Sequence, residues 1–211
     1  MRIDLHVHTT ASSCSAFTPL QLVHGARSEE AAVVVTTNHG DSLGDSDYLR
    51  EELGKHGILY FPAMEITTEW GDFLLFSEHL DEFQHIMRFP VVSLPDPAVA
   101  VIWAHPFEFF TEEHVHEIKY DVAPYIDAIE AINGKCLRSP WMNQMAMDLS
   151  RELEKPMTAG SDAHSAKNFF LVWTEFPTPI ETYADFVKAL KQGSFSIPRE
   201  ARGSGKSFGR E

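Results

Sequence analysis

Short apolar runs alternate along the chain with longer stretches in which apolar and polar residues recur at helical spacing. Several of the short runs are rich in β-branched residues and almost wholly apolar, which is typical of strands covered on both faces. The predicted strands span residues 2–7, 31–37, 58–67, 73–77, 99–104, 126–132, 156–160 and 194–197. The predicted helices span residues 18–30, 45–56, 111–120, 140–154 and 181–192.

This alternation of strands and helices predicts an α/β fold, in the form of a small or distorted barrel. We find no internal repeat and no linker, so we expect a single domain over residues 1–200. Residues 201–211 (ARGSGKSFGRE) are rich in glycine, serine and charge and are expected to form a flexible tail.

Composition restricts the binding partners and the cellular compartment that we expect for the protein. The 17 Lys+Arg and 31 Asp+Glu give a formal net charge of −14, which argues against a protein that binds duplex DNA by neutralising phosphates. The two cysteines, Cys14 and Cys136, cannot form a disulfide framework, so a reducing compartment is expected. Neither a secretory signal nor an apolar run of membrane-spanning length is visible. We therefore expect a cytoplasmic protein that binds no membrane. The sequence does not predict its oligomeric state.

Residues that can bind metal ions cluster at the carboxyl ends of the predicted strands. They are His6, His8, His39, Glu65, His105, Asp162 and His164. In a barrel these strand ends converge on one face, where active sites lie. Imidazole and carboxylate groups are ligands that zinc, manganese and iron accept, and burying so many without cations is costly. Any one of them alone is compatible with a hydrogen-bonded core residue, but together they predict a polynuclear metal site.

Five short motifs contain these residues: DLHVHT from residue 4, TNH from residue 37, AME from residue 63, AHP from residue 104 and GSDAH from residue 160. In identity and order they resemble the motifs of the PHP family, named for polymerase and histidinol phosphatase. The resemblance covers about residues 1–175. It implies a distorted (βα)7 TIM-like barrel that binds two to three divalent ions (zinc, manganese or iron).

The resemblance also implies an arrangement of ligands. The first metal would be bound by His6, His8, Glu65 and Asp162. Glu65 would bridge to a second metal that also takes His105, and His39 and His164 would bind a third.

Three positions depart from the family pattern. Cys14 stands where relatives usually carry Asp or His as a ligand of the third metal, so it either completes that site as a thiolate or is a small inert residue. Asp72 stands where relatives often carry a histidine ligand of the second metal. It either binds that metal or is a solvated turn residue, in which case His79 is the alternative. Asn38 replaces the usual aspartate of the second motif and is expected to orient a ligand.

The resemblance implies a metal-dependent phosphoesterase that cleaves a small phosphomonoester or phosphodiester through a metal-bridging hydroxide. Its catalytic residues would be Glu65, His39, Asp162 and His164, with His39 or His164 among the candidate donors of the leaving-group proton. Phosphate binding requires a cationic or hydrogen-bonding anchor. Asn133, Lys135 and Arg138 follow the strand at 126–132 and are candidates, although surface solvation explains each equally well.

Three other functions remain open, of which one, an exonuclease that acts on nucleic acid, is also known in the family that the motifs resemble. The same metal cluster could hydrolyse an amide or a lactone, because an activated water attacks a carbonyl carbon equally well. Alternatively, the chain could be a non-catalytic accessory domain that keeps a metal site for folding.

Overall fold

The computed structural model describes residues 1–40, 43–92 and 96–198, so the predicted tail at 201–211 lies outside the described residues. The strands are β1 (Arg2–Ile3), β2 (Val33–His39), β3 (Leu59–Thr68), β4 (Gly71–Ser77), β5 (Val99–Trp103), β6 (Ala128–Asn133), β7 (Met157–Gly160) and β8 (Thr174–Glu175). The α-helices are α1 (Pro19–Ser28), α2 (Ser46–Gly54), α3 (Glu112–Val122), α4 (Pro140–Glu152) and α5 (Tyr183–Lys191). In this part of the chain no helix is both long and apolar enough to cross a membrane.

Most strands form one curled sheet in the order β2-β3-β4-β5-β6-β7, while β1 and β8 pair separately. The segment after β1 lies between the two ends of the large sheet. The backbone oxygen of Val7 accepts a hydrogen bond from the amide of Thr37 at 2.8 Å, and Val7 also forms a parallel bridge with Ala163. The amino-terminal segment therefore joins the end of β2 to the residues that follow β7.

The predicted α/β class is confirmed, but a regular (βα)7 barrel is not observed. Strand β4 runs antiparallel to both β3 and β5, and β3 and β4 are joined by a two-residue hairpin. Between β4 and β5 the described residues contain a single 3₁₀ turn, Leu80–Phe83, instead of an α-helix. A run of apolar residues predicts a buried strand but not its direction, so the sequence does not indicate that β4 is antiparallel.

Two predicted strands are shorter than expected. The strand at 2–7 is reduced to β1 and a bridge at Val7, because the Asp4 carboxylate accepts the amide of His6 that a strand neighbour would otherwise take. The strand at 194–197 is reduced to one bridge, between Ser196 and Glu175.

Packing on both sides of the sheet fixes the positions of the strand ends. Alternate residues of β4 belong to two clusters: Leu74 and Phe76 pack with Phe186 of α5, whereas Phe73 packs with Trp103 on the other side. All five side chains are fully buried. Strand β4 is therefore covered on both faces, as its unbroken apolar run predicts.

Candidate metal centre

His6 and His8 lie in the segment that follows β1, and both side chains leave it on the same side. Their Nε2 atoms are 3.1 Å apart. On the opposite edge of each ring, the Nδ1 of His6 lies 3.0 Å from Glu130 Oε1, and the Nδ1 of His8 lies 3.4 Å from Ser12 Oγ. Because the outer nitrogens have these partners, the two Nε2 atoms are directed toward a common centre.

Glu65 of β3 lies across that centre and is 3 % exposed. Its Oε1 lies 3.1 Å from the Nε2 of His105 and 3.4 Å from the Nε2 of His6. Its Oε2 lies 3.0 Å from the Nε2 of His8 and 3.6 Å from the Nδ1 of His39. The two oxygens of Glu65 thus lie close to four imidazole nitrogens, an arrangement that a carboxylate shared between cations requires.

Asp162 and His105 approach the centre from left-handed backbone conformations, with φ of 50° and 25°. Such conformations are costly for residues other than glycine and are concentrated at functional sites. Asp162 Oδ1 lies 3.6 Å from the Nε2 of both His6 and His8, and its Oδ2 lies 3.8 Å from that of His105.

Two carboxylates that the sequence analysis missed support these ligand candidates. Glu130 of β6 accepts hydrogen bonds from the His6 ring and from the backbone amide of His105, the latter at 3.1 Å. Glu108 Oε2 lies 3.3 Å from the Nδ1 of His105. The signal for Glu130 was a carboxylate inside an apolar strand, the same signal that singled out Glu65. The sequence signal that could have identified Glu108 was its position three residues after His105.

Asn38 stabilises the loop that supports His8. Its Oδ1 accepts hydrogen bonds from the amide of Thr9 at 2.8 Å and from Ser12 Oγ at 3.1 Å. Ser12 Oγ in turn contacts the His8 ring and accepts the amide hydrogen of His39 at 3.0 Å. Asn38 thereby contributes to ligand orientation through Ser12.

The remaining ligand candidates, Cys14, His39 and His164, lie together at the open side of the centre. The ring of His164 stacks on that of His8 with centroids 4.4 Å apart, and its Nδ1 lies 3.3 Å from Asp162 Oδ1. Cys14 is exposed, and its sulfur lies within 4.8 Å of ligand atoms of His8 and His39. Both Cys14 and His164 line a cavity of about 380 Å³ above the centre.

Asp72 also lines this cavity and is buried. Its Oδ2 lies 4.0 Å from the Nδ1 of His105, and its Oδ1 is buried without a hydrogen-bond partner among the described residues. His79, the alternative to Asp72, is exposed and lies outside the cavity lining.

The three candidate phosphate contacts lie in different environments. Lys135 lines the cavity, with its Nζ 3.2 Å from Asp162 Oδ2 and 3.1 Å from Glu108 Oε1. Asn133 is fully buried and donates to Glu130 at 3.0 Å, so it supports the carboxylates from below. Arg138 is exposed and is not part of the cavity lining.

Burial and charge shift the pKa values of the central groups. Burial lowers the pKa of His6, but the negative charge of Asp162 and its neighbours outweighs burial and holds it well above its ordinary value. The pKa of His105 is raised to about 9, because Glu65 outweighs burial. Burial lowers the pKa of His8 to about 4. The neighbouring carboxylates therefore favour the charged forms of His6 and His105, whereas burial favours the neutral form of His8.

The donor atoms fit divalent cations. Among the described residues, four groups of three donors lie within 4.8 Å of one another: His8–Cys14–His39, His6–Glu65–His105, His6–His8–Asp162 and His105–Glu108–Asp162. Imidazole nitrogen, carboxylate oxygen and thiolate together suit zinc, manganese and iron. The unpartnered Oδ1 of Asp72 adds a buried acceptor beside these groups.

A sequence model of a family described as PHP-associated matches residues 140–195, a span that includes the GSDAH motif and therefore Asp162 and His164. The other motifs precede this span in the order of the family. This match and the motifs that precede it support a PHP-domain family for the chain.

A relative of this chain is an uncharacterized protein from Methanocaldococcus jannaschii, 25% identical over 174 residues. The aligned region covers 78% of this chain and 65% of the relative, so the chain spans less than two thirds of that protein.

Three solved structures share the fold of this chain. PsfC from Pseudomonas syringae PB-5123 has a TM-score of 0.66 at 18% identity, covering 93% of this chain and 90% of PsfC. A candidate metal-dependent phosphoesterase from Bifidobacterium adolescentis has a TM-score of 0.53 at 17% identity, covering 77% of this chain and 87% of the phosphoesterase chain. An amidohydrolase from Chromobacterium violaceum, with bound sulfate and no metal, has a TM-score of 0.60 at 14% identity, covering 78% of this chain and 88% of the amidohydrolase chain.

Proposed function

We propose that this protein is a metal-dependent phosphoesterase of the PHP type that hydrolyses a small phosphomonoester or phosphodiester. The observation that carries the proposal is the placement of Glu65, whose two carboxylate oxygens face different histidines of a buried cluster. Divalent ions bound there supply Lewis acidity toward the phosphoryl oxygens and lower the pKa of water toward neutrality.

The proposal assigns each ligand candidate to one of two or three ions of zinc, manganese or iron. The first ion takes His6, His8, Glu65 and Asp162. The second takes Glu65, His105 and Asp72, and the third takes His39, His164 and Cys14. Support comes from the convergence of these donors, including the approach of Cys14 to His39 and the unpartnered oxygen of Asp72.

Lys135 is assigned to the phosphoryl group. Among the described residues it is the one lysine or arginine that lines the cavity, and Asp162 and Glu108 hold its Nζ at the cavity floor. Burial lowers the pKa of Lys135, but these two carboxylates outweigh burial and raise it, so the ammonium group stays charged. It can therefore donate charge-assisted hydrogen bonds to a phosphoryl oxygen.

The leaving-group alcohol needs a proton, and His39 and His164 are the candidate donors when two ions are bound, because a ring nitrogen that binds a third ion has no proton to give. Both rings line the cavity, with side chains 39% and 24% exposed, whereas the other central histidines are buried. A partly exposed imidazole can exchange protons with solvent between turnovers.

Amide or lactone hydrolysis is the second candidate. The observation in its favour is that Lys135 already has two carboxylate partners, which a phosphate would have to compete with and a carbonyl substrate would not.

One experiment separates the two activities. The metal-free protein is reconstituted with manganese, zinc or iron and assayed on alkyl phosphomonoesters, phosphodiesters, amides and lactones. We expect metal-dependent hydrolysis of phosphoesters, with a lower kcat/KM in Lys135→Met and an unchanged value in Lys188→Met, where an exposed lysine of α5 is replaced. Turnover of amides or lactones without phosphoesters would favour the second candidate. No turnover with any substrate would favour an accessory domain.

A further inference from the structure

The mouth of the candidate metal centre carries exposed apolar side chains. Met87 and Phe109, 75% and 68% exposed, are the most exposed large apolar residues in the described part of the chain. Phe109 lines the cavity above the centre, and Met87 lines an adjoining cavity of about 290 Å³. Both cavities are bounded by Glu65. Single exposed apolar residues are ordinary, but their placement at the rim of a polar cavity points to a ligand with an apolar part.

Phe109 is fixed beside the ligand candidates while most of its surface stays free. Its ring contacts that of His105 edge-on, with centroids 5.8 Å apart. Next to it, the ring of Phe110 stacks on His114 at 4.6 Å and forms part of the same cavity wall. A Cβ on Gly71 would lie 3.3 Å from the Phe110 ring, and Gly71 has a φ of 110°, so glycine is required for this wall.

The charges in the cavity restrict the polar part of the ligand. Glu65, Asp72 and Asp162 line its floor, and Lys135 is the single lysine or arginine that the described residues place there. Bound cations and Lys135 can together hold one phosphate group, whereas the wall formed by Phe109 offers nothing to a second anionic group. The cavity therefore combines one anion site with one apolar aromatic wall.

We propose that the natural substrate is the phosphoester of an alcohol that carries a flat apolar ring, and that this ring packs against Phe109 while the phosphate meets Lys135. The inference rests on the proposed phosphoesterase function and names its substrate class. Offset or edge-on packing of two rings adds to the burial of apolar surface, so the ring contributes both affinity and orientation.

The test compares two non-hydrolysable ligands, 2-phenylethylphosphonate and ethylphosphonate, by calorimetry on the manganese-loaded protein. We expect the phenyl ligand to bind about tenfold more tightly. Phe109→Ala should reduce this ratio to about twofold, and Phe109→Leu should give an intermediate ratio because it keeps apolar surface but loses the ring. Leu20→Ala removes an apolar side chain of α1 that is 55% exposed and outside the cavity, and it should leave the ratio unchanged.

Hydrolysis of 2-phenylethyl phosphate and ethyl phosphate, whose leaving alcohols have similar acidity, completes the test. Equal affinity for the two phosphonates, or a phenyl preference that persists in Phe109→Ala, would overturn the ring assignment even if both esters are hydrolysed. A phenyl preference that depends on Phe109, with neither ester hydrolysed, would support the ring subsite and refute the phosphoesterase.

Discussion

At the scale of single residues, the orientation of the central histidines depends on side chains that face away from the cavity. Glu130 contacts the His6 ring through Oε1, and its Oε2 accepts from the amide of His105 and from Asn133 Nδ2. With these partners, the buried carboxylate fixes the Nε2 of His6 toward the cluster. It also stabilises the left-handed backbone of His105.

Replacing Glu130 with glutamine tests this positioning role. The side chain keeps its size, but the charge is lost and an amide NH₂ faces a donor. We expect metal affinity to fall by about 10- to 100-fold, as is usual when a partner of a ligating histidine is lost. Competition with a chelating dye measures the affinity. Asp148→Asn, which removes an exposed carboxylate of α4 paired with Arg151, is the matched control and should bind metal like the parent. Parent-like affinity in Glu130→Gln would contradict the role.

Metal uptake should also release protons. The folded-state pKa of His105, about 9, lies above its ordinary value of 6.5, and that of His6 is raised as well, so both rings are protonated at pH 7. A metal ion binds only the neutral imidazole, at the ring nitrogen that carries no proton. We therefore expect His6 and His105 to release about two protons per chain at pH 7, and Cys14, whose pKa burial raises, to release one more if it binds as a thiolate. The apparent affinity should rise as pH increases toward 9. Calorimetry in buffers of different ionisation enthalpy measures the release. Binding heats that do not depend on the buffer would exclude it.

Most ligand candidates were predictable from the sequence because they interrupt or follow an apolar run, as Glu65 does in β3, whereas Cys14 and Asp72 were assigned only from the family pattern. Glu130 carries the same signal in β6, but it lies outside the family motifs and was overlooked. Glu108 and Ser12 act only through their contacts with His105 and His8, which a sequence does not display.

At the scale of elements, the centre depends on close approach between β7 and its neighbours. A Cβ on Gly160, at the end of β7, would lie 2.5 Å from His6 Cβ and 2.7 Å from Glu130 Oε1. Neither atom can move without disturbing the His6–Glu130 hydrogen bond. Gly160 therefore permits both the packing and the orientation of His6.

Gly160→Ala is accordingly expected to destabilise the protein by about 2 kcal/mol, within the range for overpacked cores. Gly54→Ala is the control, because a Cβ at the end of α2 meets nothing within 4 Å. It should stabilise the fold by about 0.5 kcal/mol by restricting the unfolded chain. Urea unfolding of the two variants and the parent measures both effects. A Gly160→Ala variant as stable as the parent would show that the close approach is not required.

Strand and helix positions followed from apolar periodicity, but two features of the elements did not. The helix predicted over residues 45–56 begins at Ser46, and the Asp45 carboxylate before it accepts the Thr9 hydroxyl at 2.6 Å and makes no capping hydrogen bond. The antiparallel direction of β4 depends on the short hairpin before it and on partners on both sides. Both outcomes result from tertiary contacts that override a local pattern.

At the scale of the whole molecule, contacts between distant segments assemble the cluster. The Asp4 carboxylate accepts the amides of Ser161 and Phe170, at 2.8 Å and 3.0 Å, and so joins the two ends of the ligand-bearing region. The family motifs predicted that these segments meet, whereas the contacts made by Asp4 could not be derived from spacing. The cluster also brings several carboxylates together in a chain of formal charge −14, and bound cations would offset part of that charge.

The central claim is that the cluster around Glu65 binds the metal ions that hydrolyse a phosphoester. Its most direct test is a manganese titration of the metal-free protein, with the rate of ethyl phosphate hydrolysis measured in the parent and in Glu65→Gln. The account predicts no activity without metal, a rate that saturates at two to three equivalents in the parent, and loss of nearly all activity in a Glu65→Gln variant whose circular dichroism is unchanged. Hydrolysis that is independent of manganese, or full activity in Glu65→Gln, would contradict it.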